Sequence, residues 1–219
     1  MGTDNLFHKN KARKAESHRR EKAKLAPYER VLIVCEGEKT EPNYFRGLRR
    51  AFGLNPRNVC IADKKHGLDP KNLVKYAIEE YRKDQDFDHV YCVFDKDKHA
   101  TYDAALNQIH STRLKAGHSI DSITSVPCFE IWLLLHFVYT TRAFCAATDD
   151  SNCDLVMSEL KQYIPGYEKG AKDVFIGDEK LETAINNSKM LEEFHKTSRT
   201  DNPSTKIFKL VEYLIGLKR

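Results

Sequence analysis

The chain lacks any apolar run approaching the length of a membrane span; the longest, around Ile131–Val138, is interrupted by His136. Its opening residues are basic and polar with no apolar signal core, so export is not expected and a cytoplasmic location is. Six cysteines are present (Cys35, Cys60, Cys92, Cys128, Cys145, Cys153), none in a CxxC pair and most in apolar contexts. That usage predicts reduced, buried thiols instead of a disulfide framework or a zinc site. There is no Gly-rich phosphate loop, no Ser/His/Asp arrangement and no H-E-x-x-H motif, so the chain is not expected to supply its own ATPase or a zinc-protease centre. Internal repeats and low-complexity stretches are also missing. With 219 residues, 41% hydrophobic and 31% charged, global disorder is excluded and one compact domain, with at most a small appendage, is expected.

The net charge of +4 is unevenly spread. Residues 1–30 hold nine Lys/Arg against four acids, which leaves +5 there and −1 over the remainder. A lysine-rich arm with few large apolar residues buries too little surface to fold alone, so residues 1–27 are expected to be mobile. Such an arm either gives sequence-blind attraction to nucleic-acid phosphates or is simply a solvated start to the chain.

From Tyr28 the pattern alternates. Val31–Cys35 is a continuous apolar run of strand length, ended by Glu36-Gly37. Thr40 is placed to cap a helix carrying Tyr44, Phe45, Leu48 and Phe52 at helical spacing. Asn58–Ala62 is a short second strand, Asp69-Pro70 opens a second helix, and Val90–Phe94 is a third strand terminated by Asp95-Lys96-Asp97. Ala104–Lys115 reads as a helix ending at Gly117, Ile120–Val126 as a strand, and Phe129–Val138 as an apolar helix. The economical architecture is α/β, a parallel sheet covered by helices over residues 28–140. Residues 141–219 form a helical C-terminal extension on the same sheet, with helices near Leu155–Tyr163, Lys180–Phe194 and Ser204–Leu217.

Two acidic clusters fall at carboxyl ends of apolar strands: Glu36-Gly37-Glu38-Lys39-Thr40-Glu41 and Asp95-Lys96-Asp97. Ligands of open parallel sheets bind outside those ends, so both clusters line one crevice if the two strands are neighbours. Asp95 and Asp97 project to the same side in extended backbone, and Glu36 facing them completes an all-oxygen site. Hard oxygen donors without His or Cys suit Mg²⁺ or Mn²⁺. Paired aspartates at strand ends also serve as turn starters and helix caps, so the DxD carries little by itself. Gly37 is read as the sharp turn that aims Glu36 at the crevice.

This pattern resembles the Toprim (topoisomerase–primase) fold, with a Glu after the first strand and a DxD after the third. More closely, the chain resembles the RloB-like family of bacterial Toprim proteins. The carrying segments are Val34–Phe45, Val93–Asp97, Pro127–Phe137 and Asn202–Thr205, of which Pro127–Phe137 is the most distinctive. The sequence departs from the pattern at Val126, where an Asn is expected before the proline. The resemblance implies that Glu36 is a metal ligand or general acid/base and that Asp95 and Asp97 are the metal-binding pair. Glu41 is then a second-metal ligand, or else a carboxylate complementing a helix N-terminus. The family's neighbourhood of restriction and phage-defence genes implies a metal-dependent nuclease acting in antiviral defence by abortive infection. Its target would be RNA such as tRNA, or DNA, and it would work with an ATPase partner; a homo-oligomer stays open.

Glu130 lies between Phe129 and Ile131, where a bare carboxylate is costly to bury. Either a metal or lysine in the site satisfies it, or helix N-terminal N–H groups do. Trp132 and His136 read as core, and His99 is a candidate phosphate contact. Lys39, Lys98, Lys169 and Lys206 are candidates for binding phosphate, each with an ordinary solvated lysine as the alternative. Two rivals to a nuclease remain: a non-catalytic subunit binding nucleic acid or an ATPase, and a phosphohydrolase using Asp95 as nucleophile.

Overall fold

The computed structural model describes residues 28–63, 67–96, 100–147, 151–172, 175, 177–198 and 200–217. The expected basic arm over residues 1–27, and Asp97, Lys98 and His99, lie outside the described residues. The elements run β1 (Val31–Cys35), α1 (Thr40–Ala51), β2 (Val59–Ile61), α2 (Pro70–Lys83), β3 (His89–Asp95) and α3 (Tyr102–Ser111). They continue with β4 (Ser119–Val126), α4 (Glu130–Leu134), α5 (Asn152–Tyr163), α6 (Asp178–Thr197), β5 (Ser204–Thr205) and α7 (Ile207–Gly216).

The sheet order is β2-β1-β3-β4-β5, with β1 to β4 mutually parallel and β5 antiparallel at the edge. β1 is buried throughout because it is central and covered on both faces. Val31, Ile33 and Cys35 face a core shared with Tyr44, Phe45 and Leu48 of α1, with α4, and with the helices of the C-terminal half. Leu32 and Val34 face a second core built with Leu73, Val74 and Ala77 of α2 and Ala105 and Ile109 of α3. The result is a three-layer α/β arrangement in which the C-terminal helices cover one face of the sheet. The order in which strands are added reverses at β1: β2 lies to one side, and the next crossover leads to β3 on the other. The crevice at the carboxyl ends of β1 and β3 is thus a topological switch point, the usual ligand position in such sheets.

Several expected elements differ locally. Asp69 does cap α2, its carboxylate accepting the N–H groups of Lys71 and Asn72. Thr40, expected as the cap of α1, is instead its first residue, and its Oγ1 accepts the N–H of Gly170 at 2.8 Å. A tertiary partner has taken the hydroxyl that local pattern assigned to a cap. The helix expected over Phe129–Val138 is only five residues long. It loosens into turns in which His136 and Phe137 donate to carbonyls three residues back. Ser204-Thr205, expected to begin the last helix, pairs instead with Ser125 and Val126, and the Ser125 and Thr205 hydroxyls lie 3.1 Å apart.

The expectation of reduced thiols fails for one pair: Cys128 and Cys153 form a disulfide across a sequence separation of 25. Folding sets the β4–α4 corner against the N-terminal turn of α5, a proximity with no local signature. Closing a loop of that length restricts the unfolded chain by about 3 kcal/mol. A reducing agent should lower the denaturant-unfolding free energy of the wild type by roughly that amount, while leaving Cys153→Ala unaffected.

Candidate functional site

Glu36 follows β1 directly. Its backbone N–H donates to Val93 O of β3 at 2.8 Å, extending the ladder by one residue. Its carboxylate Oε2 accepts the backbone N–H of Asp95 at 2.9 Å. The two acids expected to face each other across neighbouring strands are therefore locked together by the sheet's own register.

Around them is a cavity of about 370 Å³ lined by Glu36, Glu41, Asp95 and Glu130, with Lys39 and Lys169 also on its wall. Glu41, in the first turn of α1, is buried, and its Oε1 accepts the Gly37 N–H at 3.1 Å. Gly37 matters here for space and not for a left-handed turn. A Cβ on Gly37 would stand 2.1 Å from Glu41 Oε2, so any side chain there must push that carboxylate away.

Glu130, at the start of α4, is 2% exposed and faces this same cavity. The Tyr167 hydroxyl donates to its Oε1 at 3.2 Å, and Lys169 Nζ lies 3.9 Å from its Oε2. Cys153 Sγ, held in the disulfide, is 3.4 Å from Oε2. The structure sets this carboxylate on the cavity wall with a lysine beside it, in the first turn of α4.

Tyr167 was missed by sequence reasoning, since only the fold brings its loop over Glu130. The same loop is fastened at Gly170, whose N–H meets Thr40 and whose carbonyl accepts from Asn43 Nδ2 at 3.4 Å. Gly170 adopts a φ of 82° with the Lys39 side chain packed against it, a place where a side chain is disfavoured twice over.

Not every candidate converges. Lys206 lines a different cavity, beside β4. Lys96 turns away to Asp201 at 2.5 Å. His136 is buried with Nδ1 2.9 Å from the Trp132 carbonyl, which fixes the proton on that nitrogen, and burial lowers its pKa to about 4. It is a core residue, as expected, and so is the fully buried Trp132.

The electrostatics of the cavity are those of crowded like charges. Asp95 is only half-buried as a residue, but its carboxyl points inward. Burial, and then the charges of Glu41, Glu130 and Glu36, push its proton affinity well above the ordinary carboxylate range, opposed by the Phe129 N–H. Glu41 is raised likewise, chiefly by burial and further by Glu130 and Glu36. The donor set is all carboxylate oxygen, which fits Mg²⁺ or Mn²⁺. Among the described residues no three carboxylates bring oxygens within 4.8 Å of one another. The group that meets that spacing is Cys128, Glu130 and Cys153, whose sulfurs are bonded to each other. Among the described residues the carboxylates thus wall one cavity without forming a closed cage.

A carboxyl whose folded pKa is raised stabilises the fold fully below its unfolded pKa, and that contribution is lost as pH rises through the folded value. Removing the Asp95 charge should therefore help the metal-free protein at neutral pH. Asp95→Asn is expected to melt about 2–5 °C higher than wild type at pH 7–8, with the gap closing toward pH 4. Gly37→Ala, by displacing Glu41, should reduce that gap.

No curated protein and no solved structure matches the chain. A family model described as "RloB-like protein" matches residues 31–214, from the first residue of β1 into α7, and takes in every carboxylate of the cavity. The chain belongs to the RloB-like family.

Proposed function

We propose that this protein is a divalent-metal-dependent phosphodiesterase of Toprim type that hydrolyses RNA or DNA. The observation that carries the reading is the convergence of Glu36, Glu41, Asp95 and Glu130 on one cavity at the switch point of the sheet. Like charges crowded at a partly buried site are costly without a cation between them. Glu36 and Asp95, with Asp97 from the adjoining DKD sequence, are the candidates to hold the ion, and Glu41, on the same cavity wall, is the candidate ligand of a second. When bound, such an ion clamps a phosphate and lowers the pKa of a coordinated water.

The chain's own groups have distinct tasks. Glu36 is positioned by the Asp95 N–H and is the candidate proton acceptor. Lys169, close to Glu130, and Lys39 on the cavity wall supply positive charge toward a phosphate oxygen. Tyr167 holds Glu130 in place.

The resemblance to defence-associated proteins supports an antiviral effector acting with an ATPase partner, since the sequence has no phosphate-binding loop of its own. A second reading, a non-catalytic subunit binding nucleic acid or the ATPase, draws on the open spacing of the carboxylates. Metal affinity and in-cell cleavage separate the two. Mg²⁺ or Mn²⁺ at a hundredfold excess over Kd should stabilise the wild type by about 2–3 kcal/mol and leave Asp95→Asn unmoved. In cells carrying the neighbouring genes and challenged with phage, new RNA or DNA ends should appear with wild type and vanish with Asp95→Ala/Asp97→Ala. Protection that survives the double substitution would sink the catalytic reading and leave the scaffold.

A further inference from the structure

Away from the carboxylate cavity, β4 is incompletely covered. β3 pairs with it from Ser119 to Ser125, but on its other side β5 reaches only Ser125 and Val126. The chain leaves this outer lane at Lys206, whose N–H donates to Thr124 O at 2.8 Å, and α7 begins at the next residue. Strand alternation gives the direction of the remaining backbone groups. Ser119 N donates to Asp88 O and Lys96 N to Ser125 O, so residues 119, 121, 123 and 125 turn their polar backbone toward β3. Ile120 and Ser122 then point theirs outward, where no strand stands among the described residues. Unpaired edge groups of this kind are a template for another extended chain.

This open stretch is the floor of a groove of about 780 Å³, lined by every residue from Ser119 to Ile123. Its walls are cationic on both sides. Arg113 and Lys115 come from the segment after α3, and Lys206 and Lys209 from the start of α7; all four are exposed. Lys209 shares its charge with Glu192 at 2.5 Å, and Asp121 is the groove's acidic member. Alternate side chains of an extended strand point to opposite faces, so acids of either parity would meet a cationic wall.

We propose that this groove docks an extended, acidic peptide segment of a partner protein, which adds beside β4 at Ile120 and Ser122 and is matched in charge by Arg113, Lys115 and Lys206. A nucleic-acid backbone satisfies the cations but offers nothing regular to the outward N–H and C=O groups, so the edge favours a peptide. The chain's own first 27 residues have the wrong sign, with eight Lys/Arg against three acids. The inference does not depend on the nuclease reading.

The test is fluorescence polarisation on the full chain, with a pool of labelled peptides of about ten residues carrying Glu or Asp at alternate positions and random residues between. Saturable binding is expected for members of the pool. N-methylation of alternate amides in a selected peptide should weaken it about tenfold or more, as should Arg113→Glu/Lys206→Glu, with amide NMR shifts centred on Ile120 and Ser122. The proposal is overturned if no member of the pool binds, or if N-methylation leaves affinity unchanged. It is overturned equally if an oligouridine probe displaces the peptide and loses its own affinity in the double variant, which would make the groove a phosphate-backbone site.

Discussion

Repulsion among crowded carboxylates is the constraint around which the rest of the site is arranged. Glu36, Glu41, Asp95 and Glu130 share one cavity, and the proton affinities of Asp95 and Glu41 are raised by burial and by neighbouring carboxylates. Such a cluster persists only where other groups hold each member in place. Backbone N–H groups do this for three of them: Asp95 N–H for Glu36, Gly37 N–H for Glu41 and Phe129 N–H for Asp95. Glu130 relies on side chains, the Tyr167 hydroxyl and the Lys169 ammonium. The sheet, the first turn of α1 and the loop through Gly170 are therefore parts of one electrostatic arrangement.

The C-terminal half completes this arrangement and does not merely shield the sheet. Tyr167 and Lys169 come from it, and the loop bearing them is fastened through Gly170 to Thr40 and Asn43 on α1. The Cys128–Cys153 bond ties the corner that carries Glu130 to α5. Two kinds of surface then coexist on one sheet: an acidic cavity at its carboxyl ends and a cationic groove along the open edge of β4. Opposite charge keeps them distinct, because a polyanion drawn to the groove gains nothing from the cavity unless a cation lies there.

Much of this was legible in the residues themselves. The apolar runs Val31–Cys35 and Val90–Phe94 are most economically read as central parallel strands, which sets the acids that follow them at carboxyl ends. Amphipathic spacing located α1 and α2, and Asp69-Pro70 marked the start of the latter. Where reading failed, a long-range partner had overridden a local preference. Thr40 meets Gly170 in place of capping its helix, and Ser204-Thr205 joins a strand edge. Gly37 is required for the close approach of Glu41 and not for its own backbone angle.

By itself, the sequence determined the α/β class, the four parallel strands of the sheet, and which carboxylates end the two central strands. These properties depend on residue type and spacing within a few turns or strand lengths of chain. Tertiary structure alone decided that β1 and β3 are neighbours, that Glu130 joins their acids, and that Tyr167 and Lys169 fold over it. It also decided that Lys206 belongs to another cavity and that Cys128 meets Cys153. Strand order and loop docking are set by which apolar faces bury each other across the whole chain, and no local pattern encodes that choice.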